Sequence, residues 1–270
     1  MSSGSPGPPA VRGGMLRRVL SIAANTFRET VRNKILYVIL AFALFVIGLT
    51  WFLADLSMGE LTRIIADVGL TSIHLFGVTI AVFLGITLVS QEVDRKTIYL
   101  ILSKPVPRWE FVAGKAAGLS STLLLTTALM AATLFVVHFL YGGKAEPGIL
   151  IASAGIYLEL VLLVCIATLF STFTTSTLSA MFTLALFLIG HLSTHLVRFG
   201  GQSKSAAVRA VSSGLFYLLP NLEVFNLKNG VVHGEARSLE ALAGMVGYFA
   251  CYGGAVLLLA CLLFERKDFK

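Results

Sequence analysis

The sequence predicts an all-α integral membrane protein. It has six transmembrane helices, an N-terminal elbow helix lying in the membrane interface, and a charged cytoplasmic segment between the second and third spans. Three observations predict it. The 270 residues are 56% hydrophobic and only 13% charged, with a mean hydropathy of +0.86, whereas ordinary globular chains are about 45–50% apolar and about 25% charged. Six apolar runs approach the ~20 residues that cross about 30 Å of hydrocarbon. Lysine and arginine gather on one side of those runs.

Residues 1–14 (MSSGSPGPPAVRGG) lack a core-forming pattern and are expected to be a disordered tail. Residues 15–34 form an amphipathic helix at about 100° per residue. Leu16, Val19, Leu20, Ala23, Phe27 and Val31 gather on one face. Arg17, Arg18, Asn25, Arg28, Glu29 and Arg32 gather on the other. A basic face opposite an apolar one describes a helix in the headgroup plane, the elbow, with Arg17, Arg18, Phe27, Arg28 and Arg32 as its interface residues. The alternative is a soluble helix packed on its own protein. The first run long enough to span starts near Ile35, too late for an ordinary cleavable signal peptide.

The spans fall at 35–54, 70–90, 114–140, 149–171, 177–197 and 241–264, the third with a helical extension into the cytoplasm. Short turns at 141–148 and 171–176 make hairpins of spans three to four and four to five. Between the spans lie the segment 91–113 and the outer loop 198–240, and a tail follows at 265–270. Within the outer loop, the apolar patch 214–220, followed by 221–226, is too short to span. It is expected to dip into the outer interface or pack over the bundle.

With the N-terminus inside, fourteen of the 21 lysines and arginines fall on the inner side and seven on the outer, most of those in the one long loop. Both termini and residues 91–113 are therefore expected in the cytoplasm, in a multi-pass cell membrane protein of the bacterial inner-membrane kind. The net charge of +7 belongs to lipid headgroups and topology rather than to nucleic acid, which is not expected as a partner. Cys165, Cys251 and Cys261 lie in apolar runs, without metal spacing or an evident disulfide.

An ATP-hydrolysing chain needs a phosphate cradle of the form GxxxxGK[ST]. Gly114-Lys115 is the nearest approach, but Trp109 stands where the first glycine belongs and Ala116 where the hydroxyl belongs. Gly-x-Ser-x-Gly and His-Glu-x-x-His are also absent. No catalytic, cofactor-binding or metal set is therefore assigned from the sequence. Glu159 is the one carboxylate clearly inside a span, and a charge there costs roughly 2.5–3.5 kcal/mol on insertion scales, so it should face the bundle or a wet cavity. It contacts either a cation, proton or polar substrate on a transport path, or a Ser, Thr or His of a neighbouring helix. His191 and His195 share a helical face at i and i+4, a spacing that can bind a metal but lacks a third ligand. His74 and His138 read as satisfied helix contacts, and Trp51 and Tyr141 as interfacial aromatics. Gly114-x-x-x-Gly118 and Ala128-x-x-x-Ala132 permit close helix approach, within the chain or at a dimer seam.

The most patterned stretch is 90–115. Thr97 to Leu102 are nearly all apolar but too few to span, and Asp94, Arg95, Lys96 and Lys104 flank them. Pro105 and Pro107 then force a turn before a second helix starts. Glu92, Thr97, Leu100, Leu102, Ser103, Lys104, Pro105, Val106, Arg108, Phe111, Gly114 and Lys115 together resemble a known signature. It is that of the membrane-spanning permease subunits of ATP-binding-cassette (ABC) transporters of the type-2, exporter-like family. The resemblance extends over the chain from about residue 15, through the six spans, the elbow helix and the cytoplasmic termini. One departure is Lys96, where the family usually has glycine.

The resemblance implies that the first intracellular segment docks on an ABC ATPase subunit. Glu92, Arg95, Thr97, Leu100, Leu102 and Lys104 would form the contact, Lys115 would offer the partner a further charge, and Pro105 and Arg108 would shape and anchor the return. It further implies a second permease copy or a similar chain, ATP and magnesium on the ATPase rather than here, and a lean toward export. Two other readings stand beside it: a membrane scaffold or assembly subunit of an ATPase complex that carries nothing, and an ion-coupled carrier using Glu159. The substrate is not encoded in any motif.

Overall fold

The computed structural model describes residues 14–32, 36–54, 61–94, 107–143, 147–202, 219–228 and 239–266, with isolated positions at 205, 209, 212 and 214. The tail 1–13 and the sequence-predicted contacts Arg95, Thr97, Leu100, Leu102, Lys104 and Pro105 lie outside the described residues. So do most of the outer loop and residues 267–270.

The described chain is helical throughout. In order it runs α1 (Met15–Thr30), α2 (Leu36–Ala54), α3 (Leu61–Asp94), α4 (Arg108–Leu140), α5 (Pro147–Phe173), α6 (Ser176–Gln202), a 3-10 turn (Leu222–Phe225) and α7 (Leu239–Glu265). Among the described residues, five helical stretches are long and apolar enough to cross a membrane. They are Leu61–Gly85, Arg108–Leu140, Pro147–Phe173, Ser176–Ser193 and Leu242–Glu265, and the shorter apolar stretch Tyr37–Phe52 lies in α2. The protein is thus an all-α, multi-pass membrane protein.

α5 is the central helix. Its sequence is apolar on every side, the pattern of a helix enclosed by others, and it is buried in nearly unbroken succession from Leu160 to Thr168. The most extensive packing is α3 on α5, followed by α1 on α4 and α7 on α5. Glycines set the α3–α5 approach: a Cβ on Gly77 would stand 2.5 Å from Leu160 Cδ1. α2, α6 and α7 instead present large apolar side chains outward, among them Trp51, Phe52, Met181, Leu188, Leu258 and Leu262. These suit a lipid surrounding rather than water.

α3 starts at Leu61, well ahead of the apolar run that begins at 70. The extra turns are amphipathic: Ile65 and Ala66 are buried, while Arg63 and Asp67 are exposed. At 1.5 Å per residue α3 and α4 are each about 50 Å long, more than the hydrocarbon needs, so each projects beyond it. α4 ends in a Schellman motif. Gly142 takes φ +84°, its N–H donates to Phe139 O at 3.1 Å, and Gly143 N–H donates to His138 O at 3.0 Å.

Hydroxyl groups within the helices are satisfied locally. Ser72, Thr122, Ser153, Thr168 and Thr183 each donate to the carbonyl four residues earlier, which removes the cost of an unpaired donor in an apolar medium. Ser179 donates across the α5–α6 hairpin to Ala167 O at 3.1 Å.

Candidate functional site

Among the described residues two loci bring polar chemistry together, one at the start of α4 and one inside the bundle. The first is where α1 and α7 meet the start of α4. Gly114 and Gly118 form the notch that receives α1. A Cβ on Gly118 would lie 2.6 Å from Ala23 O and 2.7 Å from Thr26 Cβ, and one on Gly114 would lie 2.8 Å from Ile22 Cβ. The glycine pair therefore serves packing within the chain rather than the dimer seam its spacing also allowed. Along the same face, Arg18 Nε donates to Glu110 Oε2 at 2.7 Å and Arg18 Nη2 to Glu110 Oε1 at 2.7 Å. This bidentate pair is the strongest geometry available to a guanidinium and a carboxylate.

The helical periodicity puts Arg18 on the headgroup face. The structure turns it toward α4, because α1 buries Thr26 and Thr30 while leaving Leu16 and Leu20 exposed. α1 thus packs on its own protein along one stripe and leaves Leu16 and Leu20 exposed on another. Arg17, Arg28 and Arg32 are exposed and Phe27 is half-buried. On the other flank of α4, Arg108 Nη1 donates to Glu265 O at 3.2 Å, a cation on the last carbonyls of α7. Phe111 stacks on Phe264 with ring centroids 6.3 Å apart, and Lys115 Nζ stands 5.0 Å from the Phe111 ring centre. Of the sequence-predicted contact residues, Arg108 and Lys115 are therefore at this junction. Glu92 lies in the last turn of α3 and its side chain is outside the described residues.

The second locus lies inside the bundle and centres on Glu159 of α5, which is 2% exposed. Its Oε1 stands 2.9 Å from His74 Nε2 of α3 and 3.5 Å from His191 Nε2 of α6. Lys228, beyond the 3-10 turn, places Nζ 3.0 Å from His74 Nδ1. An ammonium can only donate, so His74 accepts at Nδ1 and donates from Nε2–H to the carboxylate. The imidazole thereby bridges a half-buried cation and a buried anion. Phe187 covers the pair of rings, 4.7 Å from His191 and 5.6 Å from His74 between centroids. Burial pushes the Lys228 ammonium below the usual lysine range, and the carboxylates of Glu159, Asp67 and Glu223 oppose that shift.

Lys228 reaches this depth because residues 219–228 insert into the bundle. Asn221 caps the 3-10 turn, with Oδ1 accepting from Glu223 N–H at 3.2 Å, and Asn221 N–H donates to Tyr248 of α7 at 2.8 Å. Leu222 and Phe225 are fully buried. Leu222 seats on Gly190 of α6 and Phe225 O on Gly155 of α5, where an added Cβ would come within 2.8 Å of each. Gly155 is eight residues into α5, about 12 Å along its axis. Non-helical backbone is tolerated at such depth because protein surrounds it. The apolar patch 214–220, expected to dip or pack over the bundle, lies almost wholly outside the described residues, and it is the segment after it that inserts.

Glu159 and His191 are both legible as polar residues in apolar runs. His74 reads as an isolated histidine and Lys228 as one more outer-loop charge, since nothing local signals that four elements converge. His195 has no described side chain. His138 is 3% exposed, and among the described residues neither ring nitrogen has a hydrogen-bond partner, where its position suggested a satisfied contact. Ala128 and Ala132 line an apolar cavity of about 450 Å³ between α4 and α5, with Leu124, Thr127, Phe135 and Tyr157.

An all-helical bundle with several helices long and apolar enough to span defines a polytopic membrane protein. Residues 20–269 match the ABC-2 family transporter protein family, and the chain belongs to that family as a permease. No curated protein matches the sequence.

Proposed function

We propose that the chain is the six-span membrane subunit of an ABC exporter. It would work with an ATPase on a separate chain and with a second permease copy. The termini and residues 91–113 would face the cytoplasm, and 1–14, 15–34, 35–264 and 265–270 would serve as tail, elbow, transmembrane domain and inner tail. Glu92, Arg95, Thr97, Leu100, Leu102 and Lys104 would meet the ATPase, Lys115 would offer it a further charge, and Pro105 and Arg108 would shape and anchor the return. ATP and magnesium belong to the partner.

The observation that carries this reading is the junction at the start of α4. The helix that leads back from residues 95–106 is tied to α1 by Arg18–Glu110 and to α7 by Arg108 on Glu265 O. A displacement of that return helix is therefore delivered to α1, α4 and α7 together. ATP closure would select between inward- and outward-open arrangements only if it binds one of them better. Glu159 is almost fully buried and already faces Lys228 through His74, which weighs against its lining an open ion path.

The test is reconstitution of the chain with the ATPase that co-purifies with it. Leu100→Asp should abolish permease-stimulated ATP hydrolysis while leaving basal hydrolysis by the ATPase intact. Full stimulation by Leu100→Asp would overturn the assignment of the contact, and failure of any ATPase to co-purify would overturn the partnership itself.

A further inference from the structure

His74, Glu159 and His191 come from three different helices, and their ligand atoms all lie within 4.8 Å of one another. We propose that they form a binding site for a divalent transition-metal ion of zinc type, with one carboxylate oxygen and two imidazole nitrogens as ligands. The site is independent of any ATPase partner and of what the permease carries.

Distance argues for it first. With bonds of about 2.0–2.2 Å, neighbouring ligand atoms of a tetrahedral centre stand about 3.3–3.6 Å apart. The Glu159 oxygen is 2.9 Å from one imidazole nitrogen and 3.5 Å from the other, so small rotations of side chains would seat an ion between them. Donor type argues second. Two imidazoles and a carboxylate suit zinc and its neighbours, whereas calcium and magnesium favour all-oxygen shells and copper(I) favours sulfur. Three protein ligands also leave a fourth position for water or another donor, as in open zinc sites. Exposure orders the ligands: Glu159 is 2% exposed and His74 13%, while His191 is 25% exposed, so His191 is the ligand that an entering ion would meet first.

Lys228 gives the site a built-in competitor. A metal-bound histidine ordinarily donates its other ring N–H to an acceptor. Here that nitrogen faces an ammonium at 3.0 Å, which cannot accept and which repels a second cation. Without metal, Lys228 holds the cluster together through His74, and with metal the ion takes over that role. Lys228→Gln removes the charge and supplies a carbonyl to receive the His74 Nδ1–H. It should therefore tighten metal binding, an effect that a purely structural lysine would not produce.

The experiment uses the full-length protein in detergent, purified without a histidine tag, with Co²⁺ as the optical probe and Zn²⁺ as the displacing ion. The expected result is one Co²⁺ per chain with the visible absorption of a four-coordinate centre, bleached by Zn²⁺. Glu159→Gln and His191→Ala should each weaken binding at least tenfold in protein that elutes as the wild type does, with His191→Gln as a milder second variant. Lys228→Gln should strengthen it several-fold. Absence of stoichiometric binding by the wild type, or undiminished binding by Glu159→Gln, would overturn the site. Weaker binding by Lys228→Gln would overturn the competition.

Discussion

Glu110 sits in the first turn of α4 with a side chain that is 2% exposed, and both its oxygens are taken by one guanidinium. Removing one member of such a pair leaves a charge enclosed without a partner, whereas replacing both with apolar groups of similar size can be neutral. Arg18→Ala should therefore lower the thermal midpoint in detergent more than the double change Arg18→Met with Glu110→Leu. Equal loss in the two variants would show that the charges themselves hold α1 down. The same contrast read on ATPase stimulation separates stability from transmission. If the junction transmits motion by shape alone, the double variant should retain stimulation that Arg18→Ala loses.

At the scale of elements, the helix ends and notches make the sharper predictions. Gly118 admits α1 only because it lacks a side chain. Gly118→Val should destabilise the protein by about 1–3 kcal/mol, the ordinary cost of overpacking a close contact, and thermal unfolding should show it. Gly142 differs, since a Cβ there would meet nothing within 4 Å while φ is +84°. Gly142→Ala should cost about 1–2 kcal/mol through backbone conformation alone, and Gly142→Asn less. Element existence was legible in the sequence because apolar length and the Pro105–Pro107 break are local signals. Which faces meet was not. α4 and α5 are apolar nearly all round, so periodicity cannot say which stripe is inward. The pairing of Arg18 with Glu110 spans ninety-two residues, and that of Lys228 with His74 spans 154. α3 began early for a related reason: its first turns are held by Ile65 and Ala66 against the bundle rather than by a continuous apolar run.

At the scale of the whole molecule, the start of α1 and the end of α7 meet at the start of α4, and the Glu159 cluster lies inside the bundle away from that junction. Arg108 contacts the final turn of α7, and α1 lies along the same part of α4. With both ends on one side of a membrane, as proposed, an even number of crossings is needed, and the proposed six spans would then include α2 with the five longer stretches. The charge count gives the proposed hand of the arrangement. By sequence, fourteen of the 21 lysines and arginines are expected on the side of the N-terminus, and short basic segments tend to be retained in the cytoplasm. In a background with Cys165, Cys251 and Cys261 replaced, Ser21→Cys should be protected from a membrane-impermeant maleimide in intact cells and labelled after lysis. Tyr141→Cys, at the far end of α4 and exposed, should label in intact cells. The opposite pattern would invert the protein, placing the α4 junction where no cytoplasmic ATPase could reach it. Labelling of both positions from outside would instead mean that α4 does not cross.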